Sequence, residues 1–531
     1  MTNLRLFNVL RGIFEMTRKS NFWLLAFSRW RLLADSSASQ SLRFKFLIMP
    51  ELRKGDIIAD VQIDTMAAEG KCVARMNGQV IFISGGAPGD VVDIALTKIK
   101  SSFLEGRVTA IKKLSPHRTD PFCPHFGTCG GCSWQHINYA TQLQYKQQQV
   151  IDNLERIGGL QFPAIQPILG SKREKYYRNK LDFTFTSNRW LTKEEFTSGQ
   201  TFGDGGFDRR SFSEGGLGYH IPRMYDKVFD VKECFLQPDP SNAIRLCVKE
   251  VALREAIPFF DLRKQVGFLR TLTLRTANTG EVMVILQVTY DKMEWTEKIL
   301  AALSEKFPQI TSINYIINGK KNDTFYDLDI LCWKGSPTIT ETMTKPDGSG
   351  TLQFRVGPKS FYQTNSEQAY TLYKIAWQMA DLKGHELVYD LYTGTGTIAN
   401  FVAGQAGKVV GLESVAAAIE DAKVNSQINN IFNTEFFSGD IKDLLDESFL
   451  TTHGHPDVII TDPPRAGMHE DVCRMLLKAA AQRIIYVSCN PATQARDLKI
   501  LSERYNIISV QPVDMFPQTI HVENVVRLDR K

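Results

Sequence analysis

The sequence predicts a multidomain α/β protein, with a small OB-like β-barrel, then a central α+β domain and a C-terminal Rossmann-like domain. Three observations carry this. The chain has 531 residues, more than one hydrophobic core organises, since domains stay within about 50–250 residues. From Lys54 short apolar runs alternate with glycine-containing turns over some sixty residues. From Gly384 strands and helices alternate strictly, the pattern of a doubly wound sheet. The boundaries are set at 52–112, 113–380 and 381–531, behind a leader at 1–48.

Composition narrows the class. Hydrophobic residues make up 43% and charged residues 23%, as in ordinary globular proteins, and no apolar run reaches the roughly 18 residues of a membrane helix. The net charge of +5 permits a nucleic-acid partner without requiring one. Three of the nine cysteines fall within ten residues and the rest are scattered, which argues against a disulfide framework and for a reducing cytoplasm. Residues 1–48 hold Arg5, Arg11, Arg18, Lys19, Arg29 and Arg31, and the apolar stretch NFWLLAF is too short for a secretory core. They read as a disordered or wrongly included leader ahead of Met49; a mitochondrial-type transit peptide is the other reading.

The first domain contains DIIADVQID, KCVARMNGQVIFISG, DVVDIALTKIK and FLEGRVTAIKKL, separated by turns at Asn77-Gly78 and Pro88-Gly89-Asp90. Such barrels often hold RNA or DNA, and equally often only pack on a neighbour. Tyr139 to Ile157 has helical spacing and stops at Gly158-Gly159. LRTLTLRT and EVMVILQVTY flank a turn at Asn278 to Gly280, and residues 193–218, rich in Gly, Ser and Asp, read as a surface loop. KREKYYRNK at 172–180 is either a solvated charge run or, with Tyr176 and Tyr177 in it, an RNA contact.

In the third domain, strands are expected at ELVYDLY, KVVGLES, NTEFFSGD, DVIITDPP, RIIYVSCN, IISVQPVDMF and NVVRLDR, the last two as an antiparallel hairpin. The first turn reads DLYTGTGTIANF, whose Gly394 and Gly396 admit a ligand close to the backbone, and the next strand ends in Glu413, placed for ribose hydroxyls. Dinucleotide enzymes carry a third glycine where this chain has Ala399. With Asp440 and Asp462 at further strand ends, S-adenosylmethionine is favoured over NAD.

The chemistry turns on DPPR and VSCN. Methyltransferases acting on exocyclic amines often follow two prolines with an aromatic residue; here Arg465 stands in that place and Cys489 follows one strand later. An amine needs no enzyme thiol, whereas a ring carbon does. Carbon 5 of uracil becomes nucleophilic once a thiolate adds at carbon 6, and a carboxylate must then remove the carbon 5 proton. Glu523, with His521 beside it, lies in the loop that opens on the same sheet edge as Cys489.

Cys123, Cys129 and Cys132 are spaced C-x5-C-x2-C around Gly130 and Gly131, and Cys234 is the best candidate for a fourth ligand. Spacing alone does not separate zinc from an iron–sulfur cluster. Cys72, Cys247, Cys332 and Cys473 read as core residues.

With these residues the sequence resembles the uracil-C5 RNA methyltransferases, in the iron–sulfur branch that modifies 23S ribosomal RNA. The motifs SFYQTN, DLYTGTGTIANF, DPPRAG, VSCNPATQARD and FPQTIHVE carry the resemblance, which spans about Leu52 to Arg530. It implies a TRAM barrel, a [4Fe-4S] cluster on the four cysteines, Cys489 as nucleophile and Glu523 as base. It further implies that Gln363, Tyr392, Thr397, Glu413, Asp440 and Asp462 line the S-adenosylmethionine and base pocket, with Phe361 and Gln363 against the target uracil. Thr397 departs from the asparagine of some members. The expected product is 5-methyluridine in 23S ribosomal RNA, made by a cytoplasmic monomer with no membrane partner. The alternatives are the same reaction on the T loop of transfer RNA, an inactive RNA-binding module, and an NAD-dependent oxidoreductase.

Overall fold

In a computed structural model, residues 52–531 are described except 68–69, 193–194, 196–210 and 213–214. The leader at 1–48 lies outside the described residues, as does most of the 193–218 segment. The first sheet is built from β1 (Ile57–Gln62), β2 (Thr65–Met66), β3 (Cys72–Met76), β4 (Gln79–Ser84), β5 (Val91–Ile99) and β6 (Phe103–Lys113), in the order β1-β5-β6-β4-β3-β2. Period-two alternation buries Ile81 and Ile83 with Val92, Ile94 and Leu96. Buried Asp90 closes the turn before β5, accepting from the backbone N–H of Ala87 and Ser115 and pairing with Arg118.

The central sheet holds β7 (Lys180–Thr186), β8 (Arg189–Trp190), β9 (Ser211–Phe212), β10 (Gly216–Ile221), β11 (Met224–Asp230), β12 (Leu269–Thr276), β13 (Val282–Val288), β14 (Ile310–Ile317) and β15 (Leu331–Gly335). Its order is β15-β14-β13-β12-β7-β10-β11-β8-β9, and β12 pairs antiparallel with β13 across the expected turn. Two helices, Ser241–Arg254 and Met293–Lys306, join Phe183, Leu272 and Leu286 in one core through Ile244, Val248, Ile299 and Leu303. Two expectations need correction. Residues 216–218 are not surface loop but part of β10, between β7 and β11: a Cβ on Gly218 would lie 2.1 Å from the Phe229 carbonyl oxygen, so glycine here serves strand packing. Cys332 is exposed, because it lies on the edge strand β15.

The C-terminal sheet is the larger surprise in its clientele. Its strands β18 (Leu387–Leu391), β19 (Lys408–Glu413), β20 (Thr434–Ser438), β21 (Val458–Thr461), β22 (Arg483–Ser488), β23 (Tyr505–Val513) and β24 (Glu523–Arg530) run in the order β20-β19-β18-β21-β22-β24-β23. The first five are parallel, and β24 inserts antiparallel between β22 and β23. Elements from far upstream cover it. The hairpin β16 (Ile339–Thr344) and β17 (Thr351–Val356), with helix Ser366–Ala380, shares a core with Val388, Val409, Ile485 and Val487. Helix Tyr139–Asn153, continued by a π-helical turn to Gly158, places Val150 and Leu154 in the core formed with Ala495 and Leu498. A division at 380 therefore follows the chain but not the packing. Among the described residues no helix is long and apolar enough to cross a membrane.

Candidate active site

Strand order reverses between β18 and β21, and in such sheets ligands bind beyond the carboxyl ends of the strands at that point. At the end of β18 the chain turns through Gly394 (φ 55°) and Gly396 (φ 73°), and a Cβ on Gly396 would come within 2.9 Å of Ala422. Beneath this turn Asp390 is fully buried, accepting from the Thr393 hydroxyl at 2.5 Å and the Ala399 N–H at 3.0 Å. Among the described residues its other carboxylate oxygen has no partner. Burial, with the charge of Glu413 adding to it, pushes the Asp390 carboxyl up to about 7. Sequence reasoning missed this residue, although an acid at the strand end ahead of a glycine turn is a readable signal.

Glu413 ends β19 and accepts from the N–H groups of Gly394 and Val415, at 3.2 and 2.9 Å, which braces the turn. Thr397 is buried with its hydroxyl 3.3 Å from that of Thr395. Tyr392 sits in the left-handed region at φ 61°, half-buried. Asp440 is exposed and caps the short helix Ile441–Leu444 through the Lys442 N–H. Gln363 is buried and its carbonyl is fixed by Asn179 at 2.9 Å. Phe361 remains 66% exposed, although its neighbours are clamped: the Ser360 carbonyl accepts from buried Arg275 and its hydroxyl donates to Asp421. A large apolar ring held outward on a fixed backbone is a stacking surface.

A thiol and two carboxyls gather at the ends of β21, β22 and β24: Asp462 and Cys489 just beyond the first two, and Glu523 at the start of the third. Ser488 pairs with Asn524 in the last rung of the antiparallel register, and Cys489 and Glu523 directly adjoin that rung, near enough for the Glu523 charge to act on the thiol. Burial, reinforced by the charges of Glu523 and Asp462, pushes the Cys489 thiol up to about 12, while Arg465 acts in the opposite sense. Glu523 is 4% exposed, and burial together with Asp462 raises its carboxyl to about 8, again opposed by Arg465. Asp462 rises to about 7 through burial and the field of Asp390, which links this cluster to the glycine turn. Burial, then the neighbouring Arg465, lowers His521 to about 4, so its imidazole is neutral.

Arg465 is the cation that acts on Cys489, Glu523 and His521 alike, and its loop is anchored from the helix Pro491–Leu501. Asn490 and Thr493 donate to the Arg465 carbonyl at 3.0 and 3.2 Å, and Arg496 donates to the carbonyls of Ala466 and Met468. Asp497 accepts from the Met468 N–H and the Tyr486 hydroxyl. These supports lie in VSCNPATQARD but carried no chemical signal of their own.

Cys123, Cys129, Cys132 and Cys234 line one cavity together with His125, Gln135 and Tyr219. The Gly131 N–H donates to Cys129 Sγ at 3.4 Å, and the Tyr219 hydroxyl lies 3.8 Å from Cys234 Sγ. Burial raises Cys129 to about 12 and Cys132 to about 11, and neighbouring thiols add to it. Among the described residues no three His, Cys, Asp or Glu side chains are grouped as for one metal ion. A cubane cluster spaces its four thiolates more widely than a single ion does, and four convergent thiols with a backbone N–H donor form a suitable ligand set. In the basic patch, Tyr177 is core rather than surface: it is 6% exposed and its hydroxyl donates to the Pro517 carbonyl.

Residues 265–531 match the family described as tRNA (Uracil-5-)-methyltransferase, and residues 58–109 match the TRAM domain. The chain belongs to the uracil-C5 RNA methyltransferase family. Among relatives of this S-adenosylmethionine-dependent family, an uncharacterized RNA methyltransferase of Bacteroides thetaiotaomicron is 53% identical, over 87% of this chain and 100% of that one. Another from Porphyromonas gingivalis is 52% identical over 88% and 99%. The crystal structure of Pyrococcus abyssi tRNA (uracil-54, C5)-methyltransferase in complex with S-adenosyl-L-homocysteine is 28% identical, with a TM-score of 0.66 over 89% of this chain and 100% of that one. The NAD-dependent alternative is thereby set aside for this uracil-C5 methyltransferase.

Proposed function

We propose that this enzyme makes 5-methyluridine in 23S ribosomal RNA, with Cys489 as nucleophile and Glu523 as base. The observation that supports the reading is that Cys489 and Glu523 adjoin the last rung of the β22–β24 register, with the charge of Glu523 acting on the thiol and that of Arg465 acting on both. Cys489 adds through sulfur to uracil C6, with Arg465 favouring the thiolate, and C5 gains the electron density of an enolate. The glycine turn with Tyr392, Thr397, Glu413, Asp440 and Asp462, and Gln363, would hold S-adenosylmethionine, which when bound would supply an electrophilic methyl group to C5 and leave as S-adenosylhomocysteine. Glu523 then takes the C5 proton, and the electrons expel the thiolate and restore the ring. The target uridine must leave its stack to reach the thiol, and Phe361 is placed to stack on it, with Gln363 also against it. In this reading Cys123, Cys129, Cys132 and Cys234 hold a [4Fe-4S] cluster as a structural staple. The domains are a TRAM barrel at 52–112, a central domain at 113–380 and a methyltransferase domain at 381–531, the last two sharing a core.

A second reading, the same reaction on the T loop of transfer RNA, is favoured by the likeness to the Pyrococcus abyssi enzyme. Transfer of labelled methyl from S-adenosylmethionine into unmodified total RNA, with nuclease mapping, separates the two. Label at a uridine C5 in 23S RNA supports the proposal, label in transfer RNA replaces it with the second reading, and no label rejects both.

A further inference from the structure

The loop between β23 and β24, residues 514–522, leads directly into Glu523, and its backbone is captured from other parts of the chain. The Asp514 carbonyl accepts from Gln368 and the Met515 carbonyl from Asn365. The Phe516 carbonyl accepts from Lys146, whose ammonium also pairs at 2.7 Å with fully buried Asp514. The Pro517 carbonyl accepts from Tyr177, and the Gln518 carbonyl from the N–H groups of Ser133 and Trp134, at 2.8 and 3.0 Å. Surface loops ordinarily leave such carbonyls to water.

Gln518 is the centre of this arrangement. It is 3% exposed and adopts φ 67°, a left-handed conformation that costs a non-glycine residue free energy unless its surroundings enforce it. Its N–H donates to Gln142 Oε1 at 3.0 Å, its side-chain oxygen accepts from Gln142 Nε2 at 2.9 Å, and its amide nitrogen donates to Glu174 at 3.0 Å. Ser133, which holds its carbonyl, directly follows Cys132. Arg178 bridges the same gap, lying 4.9 Å from the Phe516 ring and acting electrostatically on Cys132 and on His521.

We infer that Gln518 is a positioning residue, a latch through which the cysteine-bearing segment and the exposed Glu174 fix the approach of Glu523 to the C5 proton. The inference rests on the assignment of Glu523 as the base. The latch acts after the thiol adduct has formed, so its loss slows release more than cofactor binding.

The test compares full-length, iron-loaded wild type with Gln518→Gly, Glu174→Ala and Glu523→Gln on unmodified RNA with S-adenosylmethionine. Glycine accepts φ 67° without strain, and Glu174 is exposed, so its removal leaves the core intact if Gln518→Gly does not fold. Three quantities are read: kcat, the dissociation constant of S-adenosylmethionine, and the fraction of protein covalently attached to RNA on a denaturing gel. The expected result is a kcat lowered about 10–100-fold for Gln518→Gly, a smaller loss for Glu174→Ala, cofactor affinity unchanged in both, and accumulated adduct. A kcat equal to wild type in both variants, or a loss of kcat with no adduct and weakened cofactor binding, overturns the latch. Adduct missing from Glu523→Gln as well instead overturns the assignment of the base.

Discussion

The chain handles sulfur in two places and in opposite ways. At the mouth of the C-terminal sheet, Cys489 is half-buried beside two carboxyls and one cation, at strand ends where the backbone turns outward. In the central domain four thiols converge on one cavity, with Cys234 and Leu236 part of the apolar core and Cys129 and Cys132 packed against it. Burial raises thiols in both, but at the mouth the charges that add to it are carboxyls, Glu523 and Asp462, opposed by Arg465, whereas in the cavity the thiols Cys234 and Cys123 act on Cys132, opposed by Arg178. A reactive sulfur needs an unfinished environment; a structural one needs a closed one.

That contrast is broken most sharply by mutation of the thiols themselves. Cys489→Ala should lower turnover by about 10⁴-fold or more while leaving the melting temperature and S-adenosylmethionine affinity near wild type, as measured by methyl transfer, calorimetry and equilibrium binding. Cys234→Ser should do the reverse, reducing iron and acid-labile sulfide from about four per chain and lowering the melting temperature while Cys489 still forms an adduct.

Titration of Glu523 sharpens the comparison from the other side. With a folded-state value of about 8 against an ordinary 4.5, its base form appears only as pH rises, so kcat/KM should climb through about pH 8. The same carboxyl binds its proton more tightly folded than unfolded. Its stabilising contribution is therefore complete below about pH 4.5 and is lost as pH rises through 8, a loss on the order of 5 kcal/mol. Glu523→Gln should consequently unfold at higher temperature than wild type at pH 9, by thermal denaturation, and the gap should close toward pH 5. The smallest effect is expected at Phe361: removing a stacking ring worth about 1–3 kcal/mol per base, Phe361→Ala should raise KM for RNA with little change in cofactor affinity, as read by steady-state kinetics.

The parts of this design that are local were legible in the sequence. Gly394 and Gly396, the acids at Glu413 and Asp462, and the cysteine that follows RIIYVS each announce themselves within a few residues, because turn geometry and strand periodicity are short-range. Asp390 was readable on the same grounds and was passed over. What escaped was long-range. Nothing near Gln142 signals a bond to Gln518, 376 residues away, and the alternation of Ile339–Thr344 cannot say which sheet it covers. Tyr177 looked like surface because its neighbours are charged, and only tertiary packing turns it inward. Gly216 and Gly218 resembled a surface loop for a related reason: glycine marks close backbone approach as often as freedom, and composition does not distinguish them.

The upstream helices that roof the C-terminal sheet bear on how such a protein could be taken apart or rebuilt. A cut at residue 380 would strip Leu372, Tyr373 and Ala376 from their neighbours Ile485 and Val487, and Val150 and Leu154 from Leu498. The catalytic portion is consequently no interchangeable cassette. A chimera joined there would present raw apolar surface on both pieces, so grafting this chemistry onto another RNA-binding partner means transplanting residues 139–158 together with 339–531.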